Sequence, residues 1–210
     1  MINRLLSFAT LALIAGLAWN SFGEASEQGA PRATAEPVGA ETSIPYGWVD
    51  FCGRRPEECS LGKLKAVDVR MSKTVWKTLN EINTLANDTI APISNFDHWG
   101  TTLDHWDYPV DGKGDCKIYA LFKRKLLIER GFPRQALLMT IVRDLNGEGH
   151  AVLTVKTDRG DFILDNLSAD VRPWSATGYT FFKRQAQDDP NVWLSLGGAT
   201  GADVASVGSK

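Results

Sequence analysis

Neither sign of charge predominates in this chain: 23 Lys and Arg stand against 25 Asp and Glu, for a formal net charge of −2. A near-neutral chain with no basic stripe argues against nucleic acid as a partner and gives no electrostatic reason to sit on a membrane surface. Long apolar runs are scarce too. The one at residues 5–19 is short for a membrane span, and nothing after it looks transmembrane. No segment repeats and no linker divides the middle of the chain, so one domain is the economical expectation. Cysteine and histidine are limited to three residues each, which leaves little material for metal clusters and makes each of the six worth placing.

What is present begins with an export pattern. A basic start ending at Arg4 precedes the apolar run, and Gly23-Glu24-Ala25 puts small residues at the two positions a signal peptidase reads. The expectation is a signal peptide over 1–25 and a periplasmic or secreted protein. Residues 26–43, rich in Ala, Glu, Gly and Pro without periodicity, predict a flexible leader; residues 197–210 predict a disordered tail. Residues 44–196 then form the domain.

Three cysteines in an exported chain ask for one pair and one free thiol. Cys52 and Cys59 bracket a polar loop containing Gly53 and Pro56, and no His or further Cys lies nearby to complete a zinc set, so a disulfide is expected there. Cys116 is the thiol left over.

The elements fall into two halves. Ser72 is placed to cap a helix carrying Val75, Trp76, Leu79, Ile82 and Ala86 at helical spacing. Asp115 is placed to cap a second, with Ile118, Leu121, Phe122 and Leu126 as its stripe and Arg130-Gly131-Phe132-Pro133 as its stop. Beyond it the pattern becomes strands at 136–142, 151–157, 162–164, 179–182 and 192–196. Helices followed by an antiparallel half predict an α+β fold.

Cys116 falls in the first turn of the second helix, where free amides and the helix dipole favour a thiolate over a thiol. Most lone cysteines are core filler, but filler belongs mid-element on an apolar face, and Gly114-Asp115-Cys116 is an element edge. His150 opens one strand and Asp165 follows the end of another, in the chain order of a nucleophile, its base and the group that orients the base. The two strands form a hairpin around Asp158-Arg159-Gly160. With a two-residue loop Asp165 lies opposite Val152 and shares the face of His150; a three-residue loop shifts the parity. The expected chemistry is cysteine acyl transfer, with a peptidase foremost. A transglutaminase, in which an amine replaces the hydrolytic water, and a non-catalytic domain of the same fold are the alternatives.

His98 and His105 offer a rival zinc site, since Asp97-His98-Trp99 and Asp104-His105-Trp106 repeat a triplet. Gly100 and Thr101-Thr102 break the helix that would align them, and no third ligand is indicated. Trp99 and Trp106 are expected either to wall the cleft, with one indole near the oxyanion, or to pack in the core.

Together, Asp104-His105-Trp106-Asp107-Tyr108-Pro109, Gly114-Asp115-Cys116, His150-Ala151-Val152-Leu153 and Leu164-Asp165-Asn166 resemble the bacterial transglutaminase-like cysteine proteinases. The resemblance implies a papain/transglutaminase-like fold, with the nucleophile at a helix N-terminus packed on an antiparallel sheet. It implies Cys116 as nucleophile, His150 as base and then acid, and Asp165 as the orienting group. It further implies a protein substrate of the surface-adhesin kind and a regulatory receptor in the inner membrane. The family commonly has an acidic residue directly after the cysteine, contributing with the one before it to a calcium site. Here Lys117 follows Cys116, a cation that repels calcium and supplies no oxygen. No metal or other cofactor is therefore expected, and Lys117 is expected to pair with Asp115 or to meet an acidic group on a substrate.

Overall fold

A computed structural model describes residues 32–197. The expected signal peptide at 1–25, the start of the leader and residues 198–210 of the tail lie outside the described residues. The chain enters through strand β1 (Val38–Thr42) and helix α1 (Tyr46–Arg54). Helix α2 (Lys73–Thr89) starts where Ser72 caps it, the hydroxyl accepting from Val75 N. Strand β2 (Ala91–Pro92), helix α3 (Asn95–Trp99) and strand β3 (Lys113–Gly114) lead into helix α4 (Cys116–Glu129). The remainder is sheet: β4 (Leu137–Arg143), β5 (Gly149–Thr157), β6 (Gly160–Leu164), β7 (Arg172–Pro173), β8 (Thr180–Gln185) and β9 (Trp193–Leu196).

Seven strands form one antiparallel sheet in the order β1-β9-β8-β4-β5-β6-β7, and β2 pairs with β3 in parallel. Alternation divides the strands between two layers. Ala151, Leu153 and Val155 of β5 face the helices in the main core, with Leu79, Ile82 and Leu121. Val142, Val152, Ile163, Phe181 and Leu196 form a smaller cluster of their own. Fully burying one such side chain contributes roughly 1.5–3 kcal/mol, so the helical face carries most of the stability.

The flexible leader expected over 26–43 is corrected in its second half. Val38–Thr42 pairs with β9 at the sheet edge, and before it Ala33 N donates to Arg159 O and Glu36 N to Asp161 Oδ2. Four of the five β1 residues are exposed, so no inside–outside alternation marks it. Backbone pairing holds it instead. Helix α1 was likewise unmarked, having no side-chain cap. It forms because Trp48 and Phe51 are buried, with Trp48 meeting Trp106 and Trp193 edge-on. Gly47 allows this approach, since a Cβ there would lie 2.1 Å from the Trp106 ring.

The disulfide joins Cys52, in α1, to Cys59, as expected. Helix α4 differs from its expected single stripe: Lys117, Lys123 and Arg124 are buried together with Ile118, Leu121 and Leu127. A helix covered on several sides can hold cations only where partners meet them. Arg124 Nε donates to Leu137 O and its Nη1 faces Glu58, while Lys123 Nζ donates to Asn83 Oδ1.

Candidate active site

Residue 116 is where α4 begins. Asp115 is the N-cap, its Oδ1 accepting from Lys117 N at 3.2 Å, and Gly114 precedes it because a Cβ there would come within 2.5 Å of the Ile118 side chain. Cys116 is thereby set in the first turn, buried to 8 % exposure but lining an open cleft together with His150, Asn166 and Leu167. It is the free cysteine among the described residues.

The hairpin question is answered by the register. Thr157 pairs with Gly160 and Leu153 with Leu164, which leaves a two-residue loop of Asp158 and Arg159. Continuing that register puts Asp165 across from Val152, on the face of His150. The imidazole Nε2 and Asp165 Oδ1 are 2.8 Å apart, both residues 4 % exposed. Cys116 and His150 line the same cleft, and the Cys116 side chain is among the groups that raise the pKa of the imidazole. The three residues singled out from sequence thus come together at one edge of the sheet.

Several residues that hold Asp165 were not foreseen. Tyr179 OH donates to Oδ2 at 2.6 Å and Leu167 N to Oδ1 at 3.0 Å, while the Tyr179 ring stands edge-on to the imidazole. From α2, Asn83 Oδ1 accepts from Asp165 N, and Asn87 Nδ2 donates to Asp165 O. Asn83 also donates to Ser168 O and Ala169 O, which fixes the loop after β6. Its positions at 83 and 87 place both amides on one helix face.

The electrostatics follow from burial against partners. Burial acts to lower the pKa of His150, but the hydrogen bonds and charges of Asp165 and Cys116 outweigh it and push the group up to about 10. Burial would raise Asp165, yet the bonds and charge from His150, with Tyr179 and Leu167 N, hold it below the usual carboxylate range. Both shifts favour an imidazolium–carboxylate pair at neutral pH. Lys123 goes the other way: burial presses its ammonium down to about 7, with Asp165 opposing.

Beside the nucleophile, Lys117 is fully buried, its Nζ 2.8 Å from Asp104 Oδ1 and 2.6 Å from Asp115 Oδ2. The pairing with Asp115 expected from sequence is present, with Asp104 as a second partner. Burial disfavours the charged amine, but Cys116, Asp115 and Asp104 together keep it protonated well above the usual lysine range. As a candidate calcium site this pair of carboxylates does not fit: the ammonium stands where the ion would be. Calcium needs six to eight oxygens.

The other histidines do not converge on a metal. Both His98 and His105 pack against the Trp99 indole, with ring centroids at 4.0 and 4.3 Å, and His98 Nε2 meets Asp111. Among the described residues no group of three or more His, Cys, Asp or Glu is placed to hold a metal ion. Trp106 is a core residue, and its Nε1 donates to Asp104 Oδ2, which removes that indole from consideration as an oxyanion donor.

Calcium-bound Legionella pneumophila LapG superposes with a TM-score of 0.50 at 23 % identity, covering 79 % of this chain and 88 % of that one, which shows a shared fold. A second Legionella pneumophila LapG structure matches at 26 % identity and a TM-score of 0.48, over 56 % of this chain and 67 % of that one. A search of curated proteins found no match. The sequence profile described as "Bacterial transglutaminase-like cysteine proteinase BTLCP" matches residues 38–200. That match spans most of the chain, from β1 through the whole sheet, and so the chain belongs to the bacterial transglutaminase-like cysteine proteinase family and is a cysteine peptidase.

Proposed function

We propose that this peptidase hydrolyses a peptide bond through a triad of Cys116, His150 and Asp165. The observation that carries the reading is the imidazole bonded to the Asp165 carboxylate and lining one open cleft with Cys116. With the proton of Cys116 already carried by the His150 imidazolium, Sγ attacks the scissile carbonyl carbon, the carbonyl π electrons moving onto oxygen. The Cys116 amide, one of the first-turn N–H groups that an α-helix leaves without an intrahelical acceptor, donates to that oxyanion. The tetrahedral intermediate collapses, the C–N bond breaks and His150 gives its proton to the leaving amine. Water, deprotonated by His150, then opens the thioester and restores the thiol. Asp165 stays ionised throughout, holding the ring and stabilising its charged form.

The substrate is a protein segment able to lie extended. The cleft runs past the chain between β4 and β5, where Asp144, Asn146 and Glu148 line it, and Leu167 stands on its rim at 59 % exposure. A cell-surface or periplasmic substrate of the adhesin kind, and regulation by an inner-membrane receptor, rest on the family resemblance. Export is supported by the apolar stretch at 5–19 and by the Cys52–Cys59 bridge, a bond that persists in oxidising compartments.

A mixed library of extended peptides, incubated with the full-length protein with and without a primary amine, tests the reaction class. Hydrolysed products that gain water and carry no amine, absent with Cys116→Ala, are expected. Predominant amine incorporation would overturn hydrolysis in favour of transamidation, and cleavage surviving in Cys116→Ala would overturn the nucleophile.

A further inference from the structure

The residue after the nucleophile is a charge placed where charges are expensive. Lys117 Nζ has no exposed surface and lies between Asp104 Oδ1 and Asp115 Oδ2, whose side chains are 9 % and 6 % exposed. The remaining carboxylate oxygens are used as well: Asp115 Oδ1 caps the α4 backbone at Lys117 N, and Asp104 Oδ2 accepts from Trp106 Nε1. Two nearly buried carboxylates held this close repel each other, and the side-chain ammonium neutralises that repulsion. The N–O separations are those of charge-assisted hydrogen bonds.

The connections of the two acids show what the ammonium joins. Asp115 belongs to the first turn of α4. Asp104 belongs to the segment that delivers Trp106 into the core against Trp48 and Trp193 and whose Asp107 binds Arg54 and Arg55. Lys117 therefore ties the start of the nucleophile's helix to a segment anchored in the core and on α1.

We propose that Lys117 is a tethered cation that positions the nucleophile's turn in place of a divalent ion, so that removing its ammonium uncovers a latent calcium-binding pocket between Asp104 and Asp115. Lys117 is a positioning residue in this account, acting on the reaction through the placement of Cys116. That catalytic half rests on the triad reading; the cation half does not.

The test uses the full-length protein and separates the two halves. Calcium binding is read without catalysis, by terbium luminescence excited through tryptophan and by the thermal midpoint with and without calcium. Trp106, bonded to Asp104, is the sensitiser at the pocket. Positioning is read by the rate at which iodoacetamide labels Cys116. In the wild type, excess chelator and excess calcium should change neither the midpoint nor the labelling rate. In Lys117→Ala, labelling should fall by about tenfold or more, the scale of a displaced reacting group. Calcium should restore it, raise the midpoint and compete with a saturable terbium signal. Adding Asp104→Asn to that variant should abolish the calcium response, while Lys117→Arg should keep wild-type labelling in chelator.

Loss of wild-type labelling in chelator, restored by calcium alone, would overturn the proposal whether or not any variant folds. So would a Lys117→Ala protein that binds no terbium, or one that labels at the wild-type rate without calcium. If the terbium and midpoint results hold while labelling proves independent of His150, the triad reading fails and the cation pocket stands.

Discussion

Asp165→Asn isolates charge from shape at the site. The carboxylate accepts from His150 Nε2, Leu167 N and Tyr179 OH. An asparagine keeps the shape: its Oδ1 accepts from the first two, and its amide donates to the tyrosine oxygen. What is lost is the negative charge beside the imidazolium. At about 4 Å and an effective dielectric of about 20 that interaction is about 4 kcal/mol, or about three powers of ten. With Asp165 neutral, the burial that already opposes the charged ring is met by Cys116 alone, and the pKa of His150 falls from about 10 toward or below neutrality. The labelling rate of Cys116 by iodoacetamide at neutral pH should therefore drop by up to about a thousandfold, with reactivity returning as the pH is raised. Circular dichroism should be unchanged. Wild-type labelling at neutral pH with an unshifted pH profile would refute the reasoning and remove Asp165 from the site.

His150 has a folded pKa of about 10, above its ordinary 6.5, so its contribution to stability is fully present below about pH 6.5 and is lost as pH rises to about 10. The difference in thermal midpoint between wild type and His150→Ala should shrink across that window. Replacing both Cys52 and Cys59 by Ser, which opens a loop with a sequence separation of 7, should lower stability by about 2 kcal/mol in denaturant titration while leaving Cys116 labelling intact. Asn83→Ala strands Lys123 Nζ, Asp165 N and the carbonyls of Ser168 and Ala169; calorimetry should show a loss of about 3 kcal/mol or more. Gly114→Ala forces a Cβ against Ile118 and should lower stability by about 1–3 kcal/mol and slow Cys116 labelling, by denaturation and mass spectrometry respectively.

The parts of this molecule legible in sequence are those whose signal is local. Ser72 and Asp115 announce their helices because a cap acts within one turn, and the strands from residue 136 onward announce themselves by alternation. Cys116, His150 and Asp165 were legible as candidates because each sits at an element edge. The meeting of His150 with Asp165 was not, since it hinges on whether the turn at Asp158 takes two residues or three, a parity that both loops satisfy chemically. Strand β1 escaped notice because an exposed edge strand is held by backbone bonds that carry no side-chain pattern. The buried cations of α4 were hidden for another reason. Lys123 and Arg124 look like solvent-facing residues until Asn83 and Glu58, 40 and 66 residues away in sequence, are brought to them. Tyr179 and Asn83 likewise join Asp165 only through the sheet and α2.

The central claim is that Cys116 forms the covalent bond with substrate. Its most direct measurement is an acid-quenched, pre-steady-state digest of the wild type with a peptide it cleaves, examined for a thioester by mass spectrometry. The account predicts the acyl fragment on the peptide containing Cys116, with none formed by Cys116→Ala and acylation suppressed in His150→Ala. An acyl group on another residue, or full cleavage by Cys116→Ala, would contradict it.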